Sequence, residues 1–462
     1  MSISDAFEEI VNPTNRIDSS FFQKEYLSLP RYQSTIGDIA IVRSGTTPSD
    51  RDDNLKEGAF LLKTVDIRNR PLSSADAESF YRISVEIADR MKKTRLEPRD
   101  VLINIVGATT DVVGRVALIP KDFPESNITQ AMALLRITNK AWSAETVFSY
   151  LAGRYGQLQV RRLARPTGQY NLNLAEIESI CIPEFSKDFN KAIKSIVERS
   201  SELRETSTSQ LTNADLILST EIGLNTWRAP EALCYVRSSS DVFAALRLDA
   251  EHFQPCYREL VDLIDASGSG IRLGDFLLEN KRGKQPAYES VGLPVINSKQ
   301  VLRNEVRLDD DNRCGSAEDA GIMIREGDVL VNGTGAGTIG RSAAFLHKVP
   351  AIPDNHVTIL RPKPSLDPVY LAVFLNSKAG QMQVEQRLRG SSGQIELYPT
   401  DLAEFRIWLA PMPIQQAIRS QVEKSFKQRQ EALRLLDTAK HAVEIAIERG
   451  EVDGFTYIVE NS

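Results

Sequence analysis

A long helix-like run near the middle of the chain recurs at its end. Residues 187–221 place Ile193, Ile196, Ser200, Leu203, Ser207, Gln210, Ala214 and Ile217 at spacings of three and four. That is a coiled-coil seam with small and polar residues at its centre. Residues 413–449 carry a stronger stripe: Ile418, Val422, Phe426, Leu433, Leu436, Val443 and Ile447. An apolar stripe on a helix needs a surface to cover it. Each copy is the most obvious partner of the other, because one chain holds both at high effective concentration. Ile193, Ile196, Leu203, Ile418, Val422, Leu433 and Leu436 are the candidate partner-binding positions. A large globular segment precedes each helix.

The globular segments repeat as well. Arg16-Ile-Asp-Ser-Ser-Phe-Phe-Gln-Lys-Glu-Tyr26 returns as Arg247-Leu-Asp-Ala-Glu-His-Phe-Gln-Pro-Cys-Tyr257, with five positions identical and Ile/Leu conservative. Ile36-Gly37-Asp38 returns as Leu273-Gly274-Asp275, and Asp100-Val-Leu-Ile-Asn104 as Asp328-Val-Leu-Val-Asn332. Gly114-Arg115 matches Gly340-Arg341, Thr167-Gly168-Gln169 matches Ser392-Gly393-Gln394, and Lys191–Ser195 matches Gln416–Ser420. The offset is 231 residues at the first phrase, 237 at the second and 225 at the last, which small loop insertions and deletions explain. This is a duplicated module far longer than a solenoid repeat.

A chain of 462 residues exceeds one ordinary core. The expected organisation is a first domain at 1–184, a central helix at 185–222, a second domain at 223–411, a C-terminal helix at 412–449 and a tail at 450–462. Apolar content of 42% and charged content of 26% are those of an ordinary soluble protein. No apolar run approaches bilayer-spanning length, and the N-terminus reads as no secretory signal. Cys181, Cys234, Cys256 and Cys314 form no CxxC pair, so a reducing cytoplasm is the expected setting. A net charge of −6 argues against a uniformly basic surface and leaves room for local basic patches.

Each module reads as α+β. Val101–Val106, Val116–Ile119 and Met132–Ile137 are expected strands, as are Val329–Asn332, Ala343–Leu346 and Val357–Leu360. Ser143 is an expected cap for a helix over 144–163, and Asp367-Pro368 opens another running to about Leu388. Gly223 to Ser240 reads as the linker.

The stretch Asp328–Arg341 contains Gly335-x-Gly337-x-x-Gly340 and comes within one residue of a P-loop. Both motifs need a helix to begin on the last glycine. Here Ser-Ala-Ala-Phe-Leu follows, which reads as a strand, and the sister loop Gly107–Gly114 keeps neither spacing. A tight inter-strand turn is therefore expected. The four histidines share no metal-ligand spacing, and no GxSxG, HExxH or Asn-Pro-Pro-Tyr motif occurs, so no catalytic or metal residue is assigned. The polar loops are better candidates. Arg43-Ser44-Gly-Thr46-Thr47-Pro48 stands where Lys281-Arg282-Gly-Lys284-Gln-Pro286 stands in the second module. Arg165-Pro-Thr167-Gly-Gln169-Tyr170 corresponds to Arg389-Gly-Ser391-Ser392-Gly-Gln394. Such side chains contact phosphates and read base edges. The candidate DNA-binding residues are Arg43, Ser44, Thr46, Thr47, Arg165, Thr167, Gln169, Tyr170, Lys281, Arg282, Lys284, Arg389, Ser391, Ser392 and Gln394.

This arrangement resembles the DNA-specificity subunit of type I restriction–modification systems. The resemblance rests on the paired phrases RIDSSFFQKEY and RLDAEHFQPCY, on GDVLVNGTGAGTIGR, on the loops before the helices and on PMPIQQAIRSQVEKSF. It covers nearly the whole chain. It implies two tandem target-recognition domains whose helices pair as an antiparallel coiled coil, and a non-catalytic subunit that reads a bipartite, asymmetric double-stranded DNA target. Two methyltransferase subunits would bring S-adenosylmethionine, and restriction motor–nuclease subunits would bring ATP and Mg²⁺. This chain would hold no cofactor itself. A 35-residue helix is about 50 Å long, which bounds the half-site separation at roughly 15 base pairs. The alternatives are a specificity-like DNA adaptor of another phage-defence or orphan methyltransferase system, and an enzyme acting on DNA through the Gly-rich loop.

Overall fold

The computed structural model describes residues 16 and 18–462, apart from 51, 53, 54, 56, 78, 79, 167, 231, 233, 309–311, 318–320, 336 and 390–394. It divides into two compact units: residues 1–206 with 428–462, and residues 207–427.

In the first unit, β1 (Ala40–Ser44), β2 (Val101–Asn104), β3 (Val116–Leu118) and β4 (Met132–Ile137) form an antiparallel sheet in the order β1-β4-β2-β3. Alternate residues enter different cores. Val101, Ile103, Val116 and Leu135 join the cluster beneath the helices, while Leu102, Ala117, Met132 and Leu134 join a second cluster on the opposite face. A sheet covered on both faces needs apolar residues in succession, which is why these strands read as continuous apolar runs.

The second unit repeats this sheet as β5 (Leu277–Arg282), β6 (Val329–Asn332), β7 (Ser342–Ala344) and β8 (Val357–Pro362), in the order β5-β8-β6-β7. The expected strands are present in both modules. Ser342–Ala344 continues from the Gly-rich loop as a strand paired with β6, and no helix begins on Gly340.

Side-chain bonds repeat with the backbone. Arg136 grips Asp100 through two bonds of 2.9 and 2.8 Å, and Arg361 grips Asp328 at 2.7 and 2.9 Å. Gln157 donates to the carbonyls of Gly114 and Leu151, as Gln381 does to those of Gly340 and Leu375. Asn69 and Asn304 both adopt left-handed φ, at 51° and 59°. Gly114 and Gly340 do the same at 80° and 78°, and a Cβ there would press on Val160 or Val384.

Two helix expectations need correction. The run over 144–163 is two helices, Ala144–Ala152 and Arg154–Leu163, broken at Gly153. Glu444 accepts from the Arg154 amide and so caps the second one. The run after Asp367 likewise breaks at Ser377 into Pro368–Asn376 and Lys378–Arg387. Asp367 caps as expected, accepting from the Val369 and Tyr370 amides. Ser143 does not, because its hydroxyl donates to the Glu145 carboxylate instead.

The central helix spans Lys187–Glu221 and the C-terminal one Met412–Arg449. Each unit holds a piece of both, packed antiparallel. In the first unit Ile193, Ile196 and Val197 share a core with Leu435, Leu436, Ala439 and Val443, and Ser200 Oγ donates to the Ala432 carbonyl at 2.7 Å. In the second, Ala214 and Leu218 share a core with Ile418 and Val422, and the Ser207 and Ser425 hydroxyls bond at 2.9 Å. Among the candidate partner-binding positions Ile193, Ile196, Ile418, Val422 and Leu436 are buried inside their own unit, Leu203 packs against the first core, and Leu433 is 53% exposed. The segment expected as a tail contains a helix, Glu451–Asn461. Phe455 of this helix meets Phe189 edge-on.

Candidate nucleic-acid interface

Four segments converge on the end of the central strand in each module. In the first, Asn104 closes β2, and its side chain donates to the carbonyls of Thr64 (3.0 Å) and Val112 (3.2 Å). The chain then pairs with Tyr170 and Asn171 through Val106 and Gly107, and those two pair back to Arg165 and Pro166. Beyond β1, Thr46 donates its amide to the Ile128 carbonyl, and the Thr47 hydroxyl accepts from the Gln130 amide.

The second module builds the same junction. Asn332 donates to the carbonyls of Ser298 (3.0 Å) and Val301 (3.2 Å). Glu396 bridges both Thr334 and Arg389, as Asn171 pairs both Val106 and Arg165. Both modules therefore present a loop after the first strand, a turn under the central Asn, a Gly-containing loop and an antiparallel pairing of Arg165 with Asn171 or of Arg389 with Glu396.

Several candidate arginines are tied to carboxylates. Arg165 Nε donates to Glu176 at 2.6 Å, and Arg389 Nη2 to Asp401 at 2.9 Å. These two pairs occupy equivalent positions and tie each arginine to the helix that follows it. Arg43 is exposed, with Nη1 on the Lys93 carbonyl at 3.0 Å, and its counterpart Lys281 reaches the Gly321 carbonyl at 3.5 Å. Ser44, Thr47 and Tyr170 are half-buried, and Thr46, Gln169 and Lys284 are exposed. Arg282 and Arg389 come together, with guanidinium carbons 5.3 and 5.9 Å from the Tyr398 ring centroid. Thr167, Ser391, Ser392 and Gln394 lie outside the described residues.

Sequence reasoning missed the turn under the central Asn. In the first module it is Lys63–Asp66. Lys63 Nζ lies 4.2 Å over the Tyr81 ring and Arg82 lies 4.3 Å over Phe60. Asp66 accepts from the Lys63 amide at 2.7 Å, and burial pushes its carboxyl above the usual range. Lys63, Asp66, Tyr81 and Arg82, with Asp52, Leu55, Val65 and Phe80, line a cavity of about 390 Å³. The available signal was a position-by-position comparison of the two modules: Lys63, Val65 and Asp66 stand where Asn297, Lys299 and Gln300 stand.

No group of histidine, cysteine and carboxylate side chains suited to a metal occurs among the described residues, and no described helix is long and apolar enough to cross a membrane.

Fold and junction together define a class: a duplicated α+β protein with two long helices and a basic-polar loop cluster in each copy. No protein-family model matches the chain. It is 24% identical over 131 residues to the type I restriction enzyme EcoBI specificity subunit of Escherichia coli, a match covering 28% of this chain and 26% of that protein. The matched segment thus spans about a quarter of the length of that relative. Among solved structures, the S subunit of a type I restriction–modification system from M. genitalium aligns over 96% of this chain and 97% of its own, at 14% identity and a TM-score of 0.32. The HsdS subunit from Thermoanaerobacter tengcongensis aligns over 90% and 96%, at 15% identity and a TM-score of 0.27.

Proposed function

We propose that the chain is the sequence-specific DNA-binding subunit of a type I restriction–modification complex. It reads a bipartite, asymmetric duplex target and directs methylation and cleavage by partner subunits. The observation that carries this reading is the duplicated junction: one scaffold occurs twice, and each copy gathers Arg-, Lys- and Thr-bearing loops at the same end of its sheet. Such loops combine phosphate positioning with base readout, and different residues on one scaffold suit an asymmetric target. The similarity to the EcoBI specificity subunit supports the same reading.

In this reading the chain is non-catalytic. Methyl transfer from S-adenosylmethionine belongs to two methyltransferase subunits, and ATP- and Mg²⁺-dependent cleavage to motor–nuclease subunits. The complex works in the cytoplasm, where its DNA is. Co-expression with the neighbouring methyltransferase in a methylation-free host is the test. One bipartite adenine-methylated motif is expected genome-wide, and a methylome without such a motif refutes the reading.

A further inference from the structure

The two modules share a sheet and several side-chain bonds, so a place where equivalent turns carry different side chains is a candidate for what each reads. The turn under the central Asn is such a place. Thr64 and Ser298 offer their carbonyls to Asn104 and Asn332 at the same 3.0 Å. In the second module Gln300 closes the turn. It is 6% exposed, and its side-chain oxygen accepts from the Asn297 amide at 3.2 Å. In the first module the shorter Asp66 makes the equivalent bond through one carboxylate oxygen, Oδ2. The cavity of about 390 Å³ opens beside it, with Val65 at the rim, 67% exposed. Two cations flank the opening, each held over an aromatic ring: Lys63 on Tyr81 and Arg82 on Phe60.

Building on the DNA-binding reading above, we infer that the Lys63–Asp66 turn and its cavity are the base-reading site of the first module, with Asp66 accepting a hydrogen bond from the exocyclic amino group of a base. Only cytosine N4 and adenine N6 offer that donor in the major groove, whereas guanine O6 and thymine O4 offer acceptors that a carboxylate repels. Lys63 and Arg82 supply the phosphate contacts that hold the strand in register. The Gln300 turn presents a different group: with Oε1 on the Asn297 amide, its carboxamide has the Nε2 donor left, where Asp66 has a carboxylate oxygen.

The test is the methylome of the full complex carrying Asp66→Asn. Asparagine keeps an oxygen for the Lys63 amide and replaces the other with a donor. The expected result is a change at one position of one half-site: the preference for an amino-bearing base falls about tenfold or more, guanine or thymine becomes acceptable, and the other half-site is untouched. An Asp66→Asn motif identical to wild type, or relaxation of both half-sites together, overturns the inference. If that variant does not accumulate, Lys63→Gln takes its place, measured as affinity for duplexes carrying each half-site alone. Weaker binding to one half-site is expected, and unchanged binding to both overturns the inference. A wild-type complex that methylates no bipartite motif sinks the function proposed above, whereas a wild-type motif unaltered by Asp66→Asn sinks only this assignment.

Discussion

Arg16 and Arg247 open their modules in the same way. Each pairs with an aspartate two residues on, Asp18 or Asp249, and donates to carbonyls at the end of a helix: those of Arg162, Leu163 and Ala164, or of Gln386 and Leu388. The guanidinium holds Asp18 well below its usual range and lowers Asp249 as well. A carboxyl with a lowered folded-state pKa stabilises above its unfolded pKa and loses that contribution as pH falls through the folded value. The melting-temperature advantage of wild type over Asp249→Asn is therefore expected to be full above about pH 4 and to vanish on further acidification. An advantage that grows toward low pH would contradict the pairing. Gly340 makes a second case. With φ at 78° and the Val384 Cγ atoms 2.9 Å from where a Cβ would sit, Gly340→Ala is expected to cost about 1–3 kcal/mol in chemical denaturation.

At the scale of the element, the serines in the helix seam have a structural use. Ser207 is fully buried and bonds Ser425 on the facing helix. Small side chains let the helices approach, and the hydroxyls satisfy each other. Leucine is the better seam residue in isolation, yet Ser207→Leu is expected to destabilise by about 1–3 kcal/mol through overpacking. Ser207→Ala strands the Ser425 hydroxyl and is expected to cost about 1 kcal/mol, most of it recovered in the double alanine variant. An additive double mutant would show that the pair is not coupled. If the helices set the half-site spacing, removing one heptad from each at matched positions shortens them by about 10 Å. The unread spacer in the methylome should then contract by roughly three base pairs with both half-sites retained. An unchanged spacer would exclude that role.

At the scale of the molecule, duplication sets expectations about partners. Two equivalent modules offer two equivalent docking positions, so native mass measurement of the co-expressed complex is expected to give one copy of this chain with two methyltransferase subunits. A one-to-one complex would argue against twofold docking. Among the candidate partner-binding positions, Leu433 is the exposed one.

Amino-acid order alone determined the repeat, both long helices and three of the four strands in each main sheet. These follow from local periodicity: a stripe every three or four residues, or a continuous apolar run where both faces are covered. It did not reveal the breaks at Gly153 and Ser377, where the capping groups include Glu444, remote in sequence from the break. Nor did it separate reader from scaffold. Arg165 and Arg389 look like free basic loop residues until the fold brings Glu176 and Asp401 against them. The Asp66 turn looks like any turn until Phe80, Tyr81 and Arg82 wall its cavity. Hydrophobic patterning is written in neighbouring residues, so sequence decides it. Ion pairs and cavities are made by segments far apart in the chain, and only the tertiary structure decides which side chains remain to meet a ligand.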